Sequence, residues 1–202
     1  MSSQLDSETL KRLRHYEALL KEWQEKINLV SPATIKQAWD RHFVDSFQLL
    51  PLLPEGAVTL YDVGSGAGFP GLVLAICRPD VSVTLIDSDT KKGVFCRNVS
   101  RETSAGAKIV TSRIEAAADT LMPPDIITAR ALAPLKDLLA LTEKWWSANQ
   151  NIKLIFLKGV RWEDELQTAL LSYDFSWHTA PSRTEDGSVI FVVTDVRNRP
   201  VS

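Results

Sequence analysis

At 202 residues the chain is long enough for one well-buried domain with length to spare, and 45% apolar with 24% charged residues excludes wholesale disorder. A net charge of −2 excludes a generic polyanion binder, so any nucleic-acid contact must come from a local cluster of cations or from a partly protein-coated target. No apolar run is long enough to span a bilayer, and "MSSQLDSETLKRLRHYE" has no secretory pattern. Cys77 and Cys96 then read as buried thiols in a reducing cytoplasm.

Leu10, Leu13, Tyr16, Leu20, Trp23, Ile27 and Val30 recur at steps of three and four, which predicts one long amphipathic helix capped by Asp6 or Ser7. A second helical piece, "AWDRHFVDSFQLL", ends at Pro51, and "PLLPEGA" reads as a linker. The chain therefore divides into a helical extension over 1–54 and an α/β domain over 55–202. From Val58 onward the pattern alternates. Strands are expected near 58–63, 82–86, 108–111, 125–129, 152–157, 173–179 and 188–195, and helices near 69–77, 90–103, 135–147 and 162–170. Such alternation argues a mostly parallel, seven-stranded sheet covered on both faces. The last two strands are joined by "TAPSRTEDGS", too short and turn-rich for a crossover, so the final strand runs antiparallel. A parallel sheet closed by a C-terminal hairpin is the Rossmann-like plan of class I S-adenosylmethionine-dependent methyltransferases. NAD-binding Rossmann domains stay parallel.

The first strand runs into "DVGSGAGFPG", with Gly64, Gly66 and Gly68 at alternating positions. A dinucleotide fingerprint would need a third glycine where Phe69 stands, and no Gly-Lys-Ser/Thr follows to make a P-loop. What remains is a tight turn that lets backbone approach a ligand. Asp62, two residues before Gly64, suits a ligand carrying an ammonium, as S-adenosylmethionine does. Asp87 ends the second strand twenty-three residues after Gly64, where a carboxylate can accept both ribose hydroxyls. NAD and S-adenosylmethionine sites share that feature, so Asp87 indicates adenosine without choosing between them.

Ligands of open α/β sheets bind outside the carboxyl ends of the strands. There the sequence places Arg113, Arg130 and Lys158, with Lys91, Lys92, Arg97 and Arg101 on the helix after Asp87. The set predicts a basic rim for RNA phosphates, unless each cation pairs with a local carboxylate. "TARALAPL" lacks an N-P-P-Y-type motif for an exocyclic amine. Neither cysteine is placed as a nucleophile, and no His/Cys/carboxylate cluster has metal-ligand spacing. These absences are compatible with methylation of guanine N7, whose lone pair lies in the ring plane and carries no proton. His42 reads as a structural tie between extension and sheet. His15 and His178 are expected at the surface, and Trp145 and Trp146 in the core.

In order and spacing, "EWQEKINLVS", "RHFVDS", "DVGSGAGFPG", "LIDSDTKK", "SRIEA", "ITARALAPL" and "LKG" together resemble the RsmG (GidB) family of bacterial 16S ribosomal RNA guanine-N7 methyltransferases. The resemblance spans nearly the whole chain and departs mainly in "RWEDELQTALLSYDFSW" and the last residues. It implies S-adenosyl-L-methionine as cofactor, with Gly64 and Phe69 lining its pocket and Ile114 and Glu115 beside the adenine. Arg130 would lie between the methionine end and the target base, positioning rather than acting as a base. Lys92, Arg113 and Lys158 would face RNA. The implied target is nucleotide 527 in the 530 loop of 16S rRNA, within the small ribosomal subunit or an assembly intermediate. A cytoplasmic monomer without metal or membrane contact is expected. Competing readings are a small-molecule methyltransferase, a non-catalytic S-adenosylmethionine- or RNA-binding protein, and, last, an NAD oxidoreductase.

Overall fold

The computed structural model describes residues 5–200; 1–4 of the N-terminal stretch and 201–202 of the tail lie outside them. Helix α1 (Ser7–Gln24) begins where Asp6 accepts the backbone N–H groups of Glu8 and Thr9, both at 2.9 Å. It buries a single stripe, Leu13, Tyr16 and Leu20, at 0% exposure. The periodicity predicts helix as far as Val30, but the helix stops at Gln24, because that side chain captures the chain beyond it. Gln24 Oε1 accepts Leu29 and Val30 N–H at 3.0 Å, and Nε2 donates to the Val30 carbonyl. Ile27 and Val30 still pack on the core from this folded-back loop.

"AWDRHFVDSFQLL" is not one helix either. A 3₁₀ turn (Ile35–Gln37), a π-helical turn (Trp39–Val44) and a short helix α2 (Asp45–Phe47) follow one another, and Pro51 sits within a further 3₁₀ turn, Leu50–Leu52.

All seven expected strands form: β1 (Val58–Val63), β2 (Val81–Asp87), β3 (Lys108–Thr111), β4 (Ile126–Arg130), β5 (Lys153–Lys158), β6 (Tyr173–Pro181) and β7 (Val189–Asn198). Their order is β3-β2-β1-β4-β5-β7-β6. The first five run parallel, and β7 inserts antiparallel to both β5 and β6. Order reverses between β1 and β4, which opens a crevice at their carboxyl ends. The connecting helices are α3 (Gly71–Cys77), α4 (Thr90–Glu102), α5 (Ile114–Ala118), α6 (Leu135–Leu141), α7 (Glu143–Ala148) and α8 (Trp162–Leu170). The short α5 has no counterpart among the expected helices. The helix expected over 135–147 splits at Thr142, whose backbone leaves helical geometry (φ −103°, ψ 5°) while its hydroxyl bonds back to Leu138 O at 2.8 Å.

One face of the sheet carries α3, α4 and the helical extension in a shared core that joins Leu13, Tyr16, Phe43 and Phe47 to Phe69, Leu72 and Phe95. The other face packs α5–α8, with Trp145 and Trp146 fully interior and their indole N–H groups on the carbonyls of Leu121 and Leu139. Tyr16 reaches from α1 to the glycine loop, donating its hydroxyl to Ala67 O at 2.5 Å. The extension is therefore bonded to the turn that the sequence marks as ligand-binding. Cys96 is buried and Cys77 partly so. No helix among the described residues is long and apolar enough to cross a membrane.

Candidate active site

Gly64, Gly66 and Gly68 all have positive φ, at +64°, +57° and +94°, which is the reason for glycine at these positions. Over Gly66 the space is open: the nearest atom to where a Cβ would stand is Gly64 O, at 4.0 Å. Over Gly64 lies Leu132 from the loop after β4, 2.5 Å from the corresponding Cβ position. Asp87 Oδ2 accepts Gly66 N–H and Oδ1 accepts Asp89 N–H, both at 2.8 Å. This half-buried carboxylate joins two loops at the mouth and keeps further lone pairs for a ligand's hydroxyls.

Asp62 is placed differently from its expected role. It is fully buried; Oδ2 accepts Gly71 N–H at 3.0 Å and Oδ1 accepts the Thr128 hydroxyl at 3.0 Å. Burial pushes its pKa up to about 7, against the lowering effect of those two bonds. The carboxylate braces the loop from beneath and ties β1 to β4 and α3, instead of facing an ammonium at the rim.

Beside the loop a polar cleft of about 220 Å³ lies between the helical extension, the ends of β4 and β5, and the β6–β7 link. Arg130 enters it from β4. Its Nη1 donates to His42 Nδ1 at 2.9 Å and Arg41 O at 3.2 Å, and lies 3.5 Å from Asp45 Oδ2. The guanidinium carbon stands 5.3 Å from the centre of the Phe69 ring, within cation–π range. Phe69 is not an open pocket wall: it is 2% exposed and stacks on Tyr16 and His42. Across the cleft Asp45 Oδ1 accepts the Thr184 hydroxyl at 2.7 Å, Arg183 N–H donates to Gln48 Oε1 at 2.6 Å, and Arg41 pairs with Glu185 at 3.2 Å. The extension and the hairpin link are thus fastened to each other around Arg130. Asp45, Thr34 and Thr184 are site residues the sequence reading missed. For Asp45 the one signal is "RHFVDS", in which His42 and Asp45 are spaced to share a helical face; Thr34 and Thr184 lie outside any motif.

The expected rim of three free cations does not form. Lys158 is 8% exposed, and its ammonium pairs with Glu165 at 2.5 Å and donates to Ala133 O at 2.8 Å. Glu165 also accepts Leu135 N–H at 2.9 Å. Lys158 therefore holds the loop that follows Arg130 and does not present charge to RNA. Arg130 is likewise drawn into its own network. Arg113 stands exposed at the N-cap position of α5 without a side-chain cap bond, and Lys92 lies half-buried in the first turn of α4. Ile114 opens α5 with its side chain packed in the core, while Glu115 is exposed. Among the described residues no group of His, Cys, Asp and Glu is arranged to hold a metal.

Three comparisons bear on this geometry. The GidB family, described as rRNA small subunit methyltransferase G, matches residues 9–182. A protein named ribosomal RNA small subunit methyltransferase G from Paramagnetospirillum magneticum is 42% identical over 198 residues, covering 96% of this chain and 92% of its own length. One of the same name from Parvibaculum lavamentivorans is 46% identical over 193 residues, covering 92% and 83%. Among solved structures, an O-methyltransferase from Bacillus cereus in complex with SAH shares the fold at TM-score 0.58 and 13% identity, covering 94% of this chain and 91% of that one.

Proposed function

We infer the activity from one premise: this chain belongs to the GidB family of rRNA small subunit methyltransferases. It is an S-adenosylmethionine-dependent rRNA methyltransferase, and its target is N7 of a single guanine in 16S rRNA, nucleotide 527 of the 530 loop. The substrate is the small subunit or an assembly intermediate, since a net charge of −2 suits a partly protein-coated RNA better than a naked one.

The observation that carries the reading is the adjacency of two unlike surfaces. A glycine turn open over Gly66, with Asp87 at its edge, meets an arginine cleft through Phe69. The residues present fit the cofactor. In the turn of Gly64, Gly66 and Gly68 the space over Gly66 is open to a backbone-close approach, Asp87 would offer acceptors to the ribose, and Ile114 and Glu115, at the start of α5, would lie toward the adenine. S-adenosylmethionine supplies, when bound, a methyl group already activated on a sulfonium. What this chain has to contribute is orientation, which can be worth several powers of ten. Guanine N7 has no proton to remove, and His42 stays neutral in its buried setting, so no side chain is needed as a base. Arg130 directs N–H groups into the cleft between the cofactor turn and the entering base. Lys92 and Arg113 meet the RNA backbone.

Methyl transfer from labelled S-adenosylmethionine into small subunits isolated from cells lacking this protein tests the reading. Label recovered in 7-methylguanosine at one site is expected. Label in another nucleoside, or none with cofactor binding intact, would overturn it.

A further inference from the structure

We propose that His42, held in a single tautomer by Thr34, is the positioning residue that aims the Arg130 guanidinium in the cleft. A guanidinium has donors only, so the Arg130 Nη1 contact at 2.9 Å requires His42 Nδ1 to be unprotonated. The ring proton then sits on Nε2, 3.0 Å from Thr34 Oγ1, which accepts it. The Thr34 hydroxyl in turn donates to Ser31 O at 2.9 Å. Every atom in this relay has one possible role, and the relay ends on a backbone carbonyl that cannot reverse it. Phe69 stacks on the imidazole with centroids 5.1 Å apart and planes 29° apart, so the ring is clamped as well as bonded.

The charged groups around His42 are Arg130 from β4 and Arg41 and Asp45 from its own segment. An imidazolium would turn a second donor toward Arg130. Burial, then Arg130 and Arg41, push the His42 pKa down to about 3, which keeps the acceptor available throughout the neutral range. A residue of the extension, His42, and one of the glycine turn, Phe69, thereby converge on the guanidinium that β4 supplies. The kinetic consequence rests on the reading of Arg130 given above; the tautomer does not.

Nitrogen-15 spectra of histidine-labelled protein decide the tautomer. The expected pattern is an unprotonated Nδ1 and a protonated Nε2 for His42, unchanged from about pH 5 to 9. A His42 that gains a second ring proton within that range, or carries its proton on Nδ1, overturns the proposal. For the kinetics, His42→Asn retains an acceptor near the Nδ1 position and should keep kcat within about tenfold. His42→Leu should lose about 100-fold in kcat with cofactor affinity little changed. Thr34→Val should fall between them, with a new Nδ1–H signal. Equal kcat for wild type, H42L and T34V would overturn the positioning role. If the wild type itself transfers no methyl to the subunit, the functional reading fails, and the spectra still decide the tautomer.

Discussion

The glycine turn and the arginine cleft lie side by side at the carboxyl ends of the strands, but they are assembled from very different lengths of chain. The backbone-donated bonds of the turn stay within about one βαβ unit, while Tyr16 and Thr128 reach it from farther along the chain. Asp62 to Gly71 is a reach of nine positions, and Gly66 to Asp87 one of twenty-one, with backbone N–H groups as the donors. The cleft joins side chains 88 positions apart at Arg130 and His42, and 139 apart at Asp45 and Thr184. The first is set by backbone conformation, and only glycine meets its demands cheaply. The second is set by side-chain hydrogen bonds and ion pairs, and it forms only when extension, sheet and hairpin link have docked.

The difference can be broken from the turn side first, where the largest effect is expected. Gly64→Leu forces an L side chain to φ +64° against Leu132, costing about 1–2 kcal/mol in backbone strain alone. Calorimetry should show cofactor affinity reduced at least about 100-fold, or some 2.7 kcal/mol. Unchanged affinity would mean the turn is not the cofactor site.

On the cleft side, Lys158→Ala separates a structural cation from an RNA-facing one. It leaves Glu165 without its counter-charge in a mostly buried pair and frees the loop after Arg130. Urea denaturation should report about 2 kcal/mol of lost stability, below the full cost of breaking a buried pair because Glu165 is 23% exposed. An unchanged midpoint together with weaker RNA engagement would return Lys158 to the rim.

The smallest effect sharpens the contrast through pH. Asp62 is raised to about 7 from 3.8, so the folded state holds the extra proton between those values, and its contribution is lost as pH rises through 7. His42 is lowered to about 3 from 6.5, so the unfolded state holds the extra proton there, and its contribution is lost as pH falls below 6.5. Between about pH 4 and 6.5 the two slopes oppose each other. Asp62→Asn removes the first, and thermal melts of the variant should fall more steeply on acidification than those of the wild type. Parallel curves would show that Asp62 is already ionised in the fold across that range.

Much of the turn side was legible before folding. Alternating β-branched runs, three glycines, a strand-end aspartate and a turn-rich hairpin link are local patterns, and the strands and the antiparallel β7 appear where those patterns lie. Where local rules failed, a side chain had a better partner nearby than the continuing helix. Gln24 ended α1 by capturing Leu29 and Val30, and Thr142 split α6 from α7 by bonding back to Leu138.

The amino-acid sequence by itself determined the succession of strands along the chain, the tight glycine turn and the acidic residue that edges it, because those depend on backbone sterics and on neighbours a few residues away. Only the tertiary structure decided which charges are free. Lys158 and Arg130 stand at strand ends like Arg113, yet they are withdrawn into Glu165 and into Asp45 and His42. A cation's partner is chosen by what the fold brings within a few ångströms, and once two charges leave water together they must satisfy each other.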